Sequence, residues 1–128
     1  MLKSINYYVQ QLFSVNAGTI YYADIISYDA AKVSKNTIAT SVVKNKATKS
    51  IILKIVNGNA TETVTQINLS KIGTKFYKEA SFTILTGDLL DVNTYENPEK
   101  IIPKTTELKI SNSFAYNAPA NSLSVIQL

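Results

Sequence analysis

One dipeptide does most to limit the folds open to this chain. Asn57-Gly58 separates Ser50-Ile51-Ile52-Leu53-Lys54-Ile55-Val56 from Thr63-Val64-Thr65-Gln66-Ile67-Asn68-Leu69. Asn-Gly supplies the positive φ values that a tight hairpin needs, and β-branched residues crowd both flanks, so the spacing predicts two antiparallel strands here. The polar loop Lys44-Asn45-Lys46-Ala47-Thr48-Lys49 precedes them and extends the expected pattern to a three-stranded meander over 37–43, 50–57 and 62–69. Further strand-like runs at 79–86, 107–110, 113–117 and 122–127 recur with turn residues between them. Many short strands so spaced predict an all-β chain, an antiparallel β-sandwich.

Two segments depart from that rhythm. Leu2, Ile5, Tyr8, Val9, Leu12 and Phe13 recur every three or four residues and predict a short N-terminal helix over 2–13, which Asn16 and Gly18 terminate. Its broad apolar stripe calls for a partner surface. Ile20, Tyr21, Tyr22, Ile25, Ile26 and Tyr28 are too dense in aromatic and β-branched residues for a solvated helix face and predict strand. Residues 29–36 are polar and loop-like. Residues 87–106 form the one long connection, broken by Gly87, Asn97-Pro98 and Pro103.

At 128 residues the chain has room for one compact domain, which buries roughly two thirds of its unfolded surface. It contains no Cys, His, Trp or Arg. A disulfide framework, Ser-His and Cys-His hydrolase arrangements, and the usual ligands of zinc, haem and iron-sulfur centres are thereby excluded. Carboxylate, Lys, Tyr or hard-cation chemistry remains. No run approaches the roughly 20 apolar residues of a membrane helix, and the start lacks the apolar stretch of a signal peptide, so a soluble chain with no membrane partner is expected. The net charge is +4, with nine Lys and only Glu62 as acid between residues 32 and 78. Nucleic-acid readers rely on the bidentate fork of Arg, so this charge predicts a solvated Lys face and no nucleic-acid partner.

Three constellations are candidates for chemistry. Asp88, Asp91, Asn93, Glu96 and Glu99 fall within twelve residues. Paired carboxylates about 5 Å apart serve retaining glycoside hydrolysis, but these lie on a Pro-interrupted connection without rigid support. Asp91, Asn93 and Glu96 offer oxygen ligands to a calcium ion, yet lack the glycine and ligand run of an EF-hand, and turn caps on a solvated acidic loop account for them better. Eight Tyr invite a carbohydrate platform. Tyr21, Tyr22 and Tyr95 are the candidate carbohydrate contacts, with Tyr28, Tyr77 and Tyr116 as further aromatics, although Tyr in a sandwich more often packs its ring in the core with its hydroxyl at the edge. Asn59-Ala60-Thr61 and Asn68-Leu69-Ser70 match the glycan-acceptor pattern without secretory evidence to support it.

The run Tyr7-Tyr8-Val9-Gln10-Gln11-Leu12-Phe13-Ser14, with Asn16 and Gly18 behind it, resembles the stretch that closes the catalytic barrel of glycoside hydrolase family 51. Leu53-Lys54-Ile55-Val56-Asn57, Leu85-Thr86-Gly87-Asp88, Glu96-Asn97-Pro98-Glu99-Lys100, and Pro119 followed by Leu123-Ser124-Val125-Ile126-Gln127-Leu128 resemble that family's C-terminal sandwich in order and spacing. The resemblance implies a piece of an α-L-arabinofuranosidase. Such enzymes remove terminal arabinofuranosyl units from arabinan, arabinoxylan and related oligosaccharides with retention of configuration, using two glutamates on a (β/α)8 barrel. In the family the acid/base follows an Asn and the nucleophile's motif carries a Trp; this chain has neither an Asn-Glu dipeptide nor a Trp. The resemblance therefore implies no catalytic residue here and no cofactor or metal. It implies instead a remnant of the last barrel helix and linker over 1–18, a C-terminal β-sandwich domain over 19–128, and the barrel as partner in cis. Tyr8, Leu12, Phe13, Leu53, Ile55, Phe82, Ile84, Phe114, Val125 and Leu128 are the expected packing residues. Deprived of the barrel, the helix is expected to fray, to fold back on the sandwich or to pair between chains. The resemblance also implies that the all-β sandwich is jelly-roll-like and borrows chain from the enzyme's N-terminus, so an unpaired edge and self-association are expected.

Overall fold

The computed structural model describes residues 4–15, 20–22, 25–28, 38–45, 50–72, 79–87, 93–97 and 99–128. Among the described residues one α-helix, α1 (Ile5–Val15), precedes nine strands: β1 (Ile20–Tyr22), β2 (Ile26–Tyr28), β3 (Ile38–Lys44), β4 (Ile51–Asn57), β5 (Thr63–Asn68), β6 (Glu79–Thr86), β7 (Lys104–Lys109), β8 (Ser113–Ala118) and β9 (Ser122–Gln127). A six-stranded sheet in the order β1-β3-β4-β9-β6-β7 faces a three-stranded sheet in the order β2-β5-β8. Every pairing is antiparallel. The fold is the antiparallel β-sandwich with one short helix that strand spacing and the N-terminal stripe predict, of the jelly-roll-like type that the resemblance implies.

Register explains where the core sits. Val42 pairs with Leu53, Leu53 with Ile126, and Ile126 with Phe82, so one apolar row crosses four strands of the large sheet. That row, together with Ile51, Ile55 and Ala80, meets Ile67 and Ala118 of the small sheet in the inner core, with Ile25 and Leu69 beside them. Alternation sends Val43, Ile52, Leu123, Val125 and Leu85 to the opposite face of the large sheet, where they form a second buried cluster with Leu12 and Ile101. β4 and β9 are consequently buried on both faces, and five of six β9 positions are buried.

The Asn57-Gly58 hairpin and the meander built on it are not what forms. β4 pairs with β3 and β9, whereas β5 belongs to the other sheet and pairs with β2 and β8. The physical reason lies in β4, which needs a neighbour with apolar residues on both faces. β9 supplies it; β5 alternates buried and exposed positions and suits a sheet covered on one side. The turn therefore carries the chain between sheets. The strand expected over residues 20–28 also divides, β1 joining the large sheet and β2 the small one, with Ile25 buried between them. β7 begins at Lys104 instead of 107. All six of its positions are exposed, so no alternation marks it in the sequence.

The helix starts later than its stripe suggests because Ser4 caps it. The Tyr7 backbone N–H donates to the Ser4 Oγ at 3.1 Å, which satisfies one of the first-turn amides. Leu2 lies outside the described residues.

Candidate functional site: the helix-covered face of the large sheet

α1 finds its partner surface within this chain. Leu12 is 7% exposed and packs with Val43, Ile52, Leu85, Leu123 and Val125, while Tyr8 and Val9 lie against the same cluster. Of the three outcomes expected for the helix, folding back on the sandwich is the one observed. The stripe works because positions 8, 9 and 12 share one side of an α-helix and meet a sheet face that alternation has already made apolar. Tyr7 stays partly exposed and sets its ring edge-on to Tyr8, with centroids 5.5 Å apart.

A loop closes the other flank of this layer. The Asn93 side chain imitates a backbone strand toward Ile101: its Nδ2 donates to the Ile101 carbonyl at 2.7 Å and its Oδ1 accepts from the Ile101 N–H at 2.7 Å. Ile101 is thereby seated in the outer cluster. The tip between them is tied by Thr94 N–H to Asn97 O at 3.2 Å and by Asn97 N–H to Thr94 Oγ1 at 3.1 Å. Asn93 thus has a structural duty, as turn-capping predicts for such residues.

Lys54 lies on the same face by alternation with Ile52 and is itself buried. Burial pulls its ammonium below the ordinary value of 10.5, because the charged form loses hydration. Val56, two residues on, is at the margin of the covered area.

The described acidic candidates, Glu96 and Glu99, lie at an open surface. Glu96 and Glu99 are exposed and, with Asn97 and Lys100, border an open depression of about 510 Å³. Asp88 and Asp91 lie outside the described residues. Among the described residues no group of three carboxylates, His or Cys is placed to hold a metal ion, and no helix is long and apolar enough to cross a membrane.

The tyrosines serve different surroundings. Tyr22 packs against the inner core, and Tyr116 does the same, its ring centroid 5.4 Å from that of Phe82 and its hydroxyl 2.7 Å from the Ser124 Oγ. Burial pushes the Tyr116 phenol above 10.0, and the hydrogen bond to Ser124 only partly offsets this. Tyr95 stands at the Asn93–Ile101 tip and is 86% exposed. Tyr28 is exposed on β2. The side chain of Tyr21 and all of Tyr77 lie outside the described residues. Among the packing residues, Leu53, Ile55 and Phe82 are buried in the inner core, Phe114 and Leu128 border it, and Val125 and Leu12 belong to the outer cluster. The Phe13 side chain lies outside the described residues.

Among the described residues the chain is a sandwich with one α-helix laid over the far face of its larger sheet. A family model described as the α-L-arabinofuranosidase C-terminal domain matches residues 1–122, and the chain belongs to that family. Among solved structures it resembles an arabinose-bound GH51 α-L-arabinofuranosidase with 28% identity and a TM-score of 0.85, covering 98% of this chain and 19% of that one. The arabinose complex of the α-L-arabinofuranosidase from Thermotoga maritima shares the fold with a TM-score of 0.79 at 18% identity, over 99% of this chain and 29% of the other. The thermostable GH51 enzyme from Thermotoga petrophila shares it with a TM-score of 0.63 at 22% identity, over 72% of this chain and 19% of that one. The chain thus spans less than a third of the length of each of these. No curated protein matches it.

Proposed function

We propose that this chain is the non-catalytic C-terminal domain of a GH51 α-L-arabinofuranosidase and that it packs against the enzyme's catalytic barrel through the layer built on α1. One observation carries the proposal: a family member that spans nearly all of its own length yet only 19% of a 28%-identical GH51 enzyme leaves most of that enzyme's chain to house the chemistry. The absence of an Asn-Glu dipeptide agrees with this. Residues 1–18 then represent the last barrel helix and linker, and 19–128 the sandwich. α1 is the joint: Tyr8, Val9 and Leu12 bind the sandwich, and its remaining surface faces the barrel. The parent enzyme would release terminal α-L-arabinofuranosyl residues from arabinan and arabinoxylan fragments by the retaining route.

The test is direct. Purified chain offered a chromogenic arabinofuranoside should show no turnover above the buffer rate. Turnover that disappears when a single Asp or Glu becomes its amide would overturn the proposal.

Two further features bear on partners. Among the described residues the large sheet has six strands and the small one three, and Leu108, on the inner face of β7, is 52% exposed. Phe82, Leu108, Ile110, Phe114 and Tyr116 border a cavity of about 430 Å³ there, and among the described strands β8 pairs only with β5. An open edge beside an apolar groove supports self-association of the isolated chain. The exposure of Tyr95 favours a second reading, a carbohydrate-binding module in which Tyr21, Tyr22 and Tyr95 contact sugar. Side-chain shifts of Tyr95 on NMR titration with arabino-oligosaccharides would select it, and their absence would select the scaffold.

A further inference from the structure

Asn57-Gly58 is the only Asn-Gly dipeptide in the chain, and the fold uses it in an unexpected way. Asn57 is 1% exposed. Its Nδ2 donates toward the carbonyls of Thr61 at 3.2 Å, Ala118 at 3.1 Å and Pro119 at 3.0 Å, and its Oδ1 accepts from the Asn59 N–H and from the Asn59 Nδ2, both at 2.9 Å. One carboxamide therefore binds the β4–β5 crossover to the end of β8, some sixty residues away in the chain. The Asn59 carbonyl in turn accepts from the Asn121 N–H at 3.0 Å, extending the tie to the β8–β9 turn.

We propose that Asn57 is a guarded deamidation site whose conversion makes opening of this sandwich irreversible. The chemistry needs only water. With its proton taken up by solvent, the Gly58 backbone nitrogen attacks the Asn57 Cγ; a new C–N bond closes a succinimide, and the Cγ–Nδ2 bond breaks to release ammonia. Water then opens the ring at either carbonyl, leaving an aspartyl or an isoaspartyl linkage. Gly58 carries no Cβ to hinder the attack. In the folded chain the carboxamide is buried and held by five contacts, so its Cγ is not free to turn onto the Gly58 nitrogen and the reaction waits for the junction to open.

Conversion then blocks return. An aspartate at position 57 turns carboxylate oxygen, which can only accept, toward the carbonyl oxygens of Thr61, Ala118 and Pro119, of which Pro119 keeps the Ser122 hydroxyl as a donor, and it places a charge at a 1% exposed position. An isoaspartyl linkage adds a methylene to the backbone where β4 pairs Asn57 with Ser122. Both products favour the open chain.

The full chain incubated at mildly alkaline pH, in native buffer and in urea, tests this by peptide mass mapping and isoaspartate-specific methylation. Conversion at Asn57 should be at least about tenfold faster in urea, whereas Asn112-Ser113 and Asn121-Ser122 should lag behind it there. Refolded yield should fall in proportion to the fraction converted. The Asn57→Asp variant should raise the unfolded-to-folded ratio about a hundredfold, or fail to fold. Equal conversion rates in buffer and urea would overturn the guarding, and converted or Asn57→Asp chains that refold to the parent's stability would overturn the irreversibility.

Discussion

Leu12→Ala separates a docked helix from a core strand. Leu12 is almost wholly enclosed by residues of four strands, β3, β4, β6 and β9, so its truncation removes buried methyl and methylene groups worth about 2–4 kcal/mol. An isolated helix of 11 residues is marginal in water, so α1 persists only while docked. The loss should therefore appear as local release of α1 while the sandwich stays closed. Amide hydrogen exchange reads this residue by residue: α1 amides should exchange about thirtyfold to a thousandfold faster, while β4 and β9 amides keep their protection within a few-fold. Leu53→Ala is the contrast, since Leu53 is fully buried between Val42 and Ile126 in the row that crosses the large sheet. It should cost about 3–5 kcal/mol and accelerate exchange throughout, with a matching fall in the urea midpoint. Unchanged α1 exchange in Leu12→Ala would show that the helix is not held by this contact. Equal acceleration of β4 and β9 in both variants would show that α1 belongs to the same cooperative unit as the inner core, and the layered description would fail.

Two other expectations follow from particular groups. Tyr116→Phe strands the fully buried Ser124 hydroxyl and should cost about 1–3 kcal/mol at neutral pH. Because the folded phenol titrates above 10.0, the native state holds its proton longer than the unfolded chain does; that stabilisation is complete below pH 10.0 and is lost as pH rises through the folded value, so denaturation melts should show a shallower alkaline decline in the variant than in the parent. Leu108→Lys places a charge in the groove beside β7 and β8 and should leave a monomer where the parent associates at high concentration in sedimentation velocity. A parent that is already monodisperse monomer would count against association through this edge.

Much of the strand layout was legible along the chain. β3, β4, β5, β6, β8 and β9 fall within one residue of their expected positions, because each carries its own β-branched or alternating signal between turn residues. β7 escaped at its start because Lys104-Thr105-Thr106 is exposed throughout, and a strand with nothing to bury writes no alternation into its sequence. Of the candidate site, the apolar stripe of α1 was visible, but its counterpart was not. Val43, Ile52, Leu85, Leu123 and Val125 come from four strands and form a face only after those strands have found their order. Ile101 joins them through a side-chain clip from Asn93 that has the same composition as a turn or a ligand loop.

By itself the sequence determined the class of fold, the family and the exclusion of His- and Cys-based chemistry, since these depend on composition, local period and motif order. Tertiary structure alone decided that Asn57-Gly58 changes sheets instead of turning a hairpin, that residues 20–28 serve both sheets, and that the sandwich covers its own helix. The reason is range. A turn dipeptide records local φ preference, whereas β4 chooses β9 because both strands are buried on both faces and Asn57 finds its acceptors at Ala118 and Pro119. Partners sixty residues apart in the chain meet only when the two sheets close.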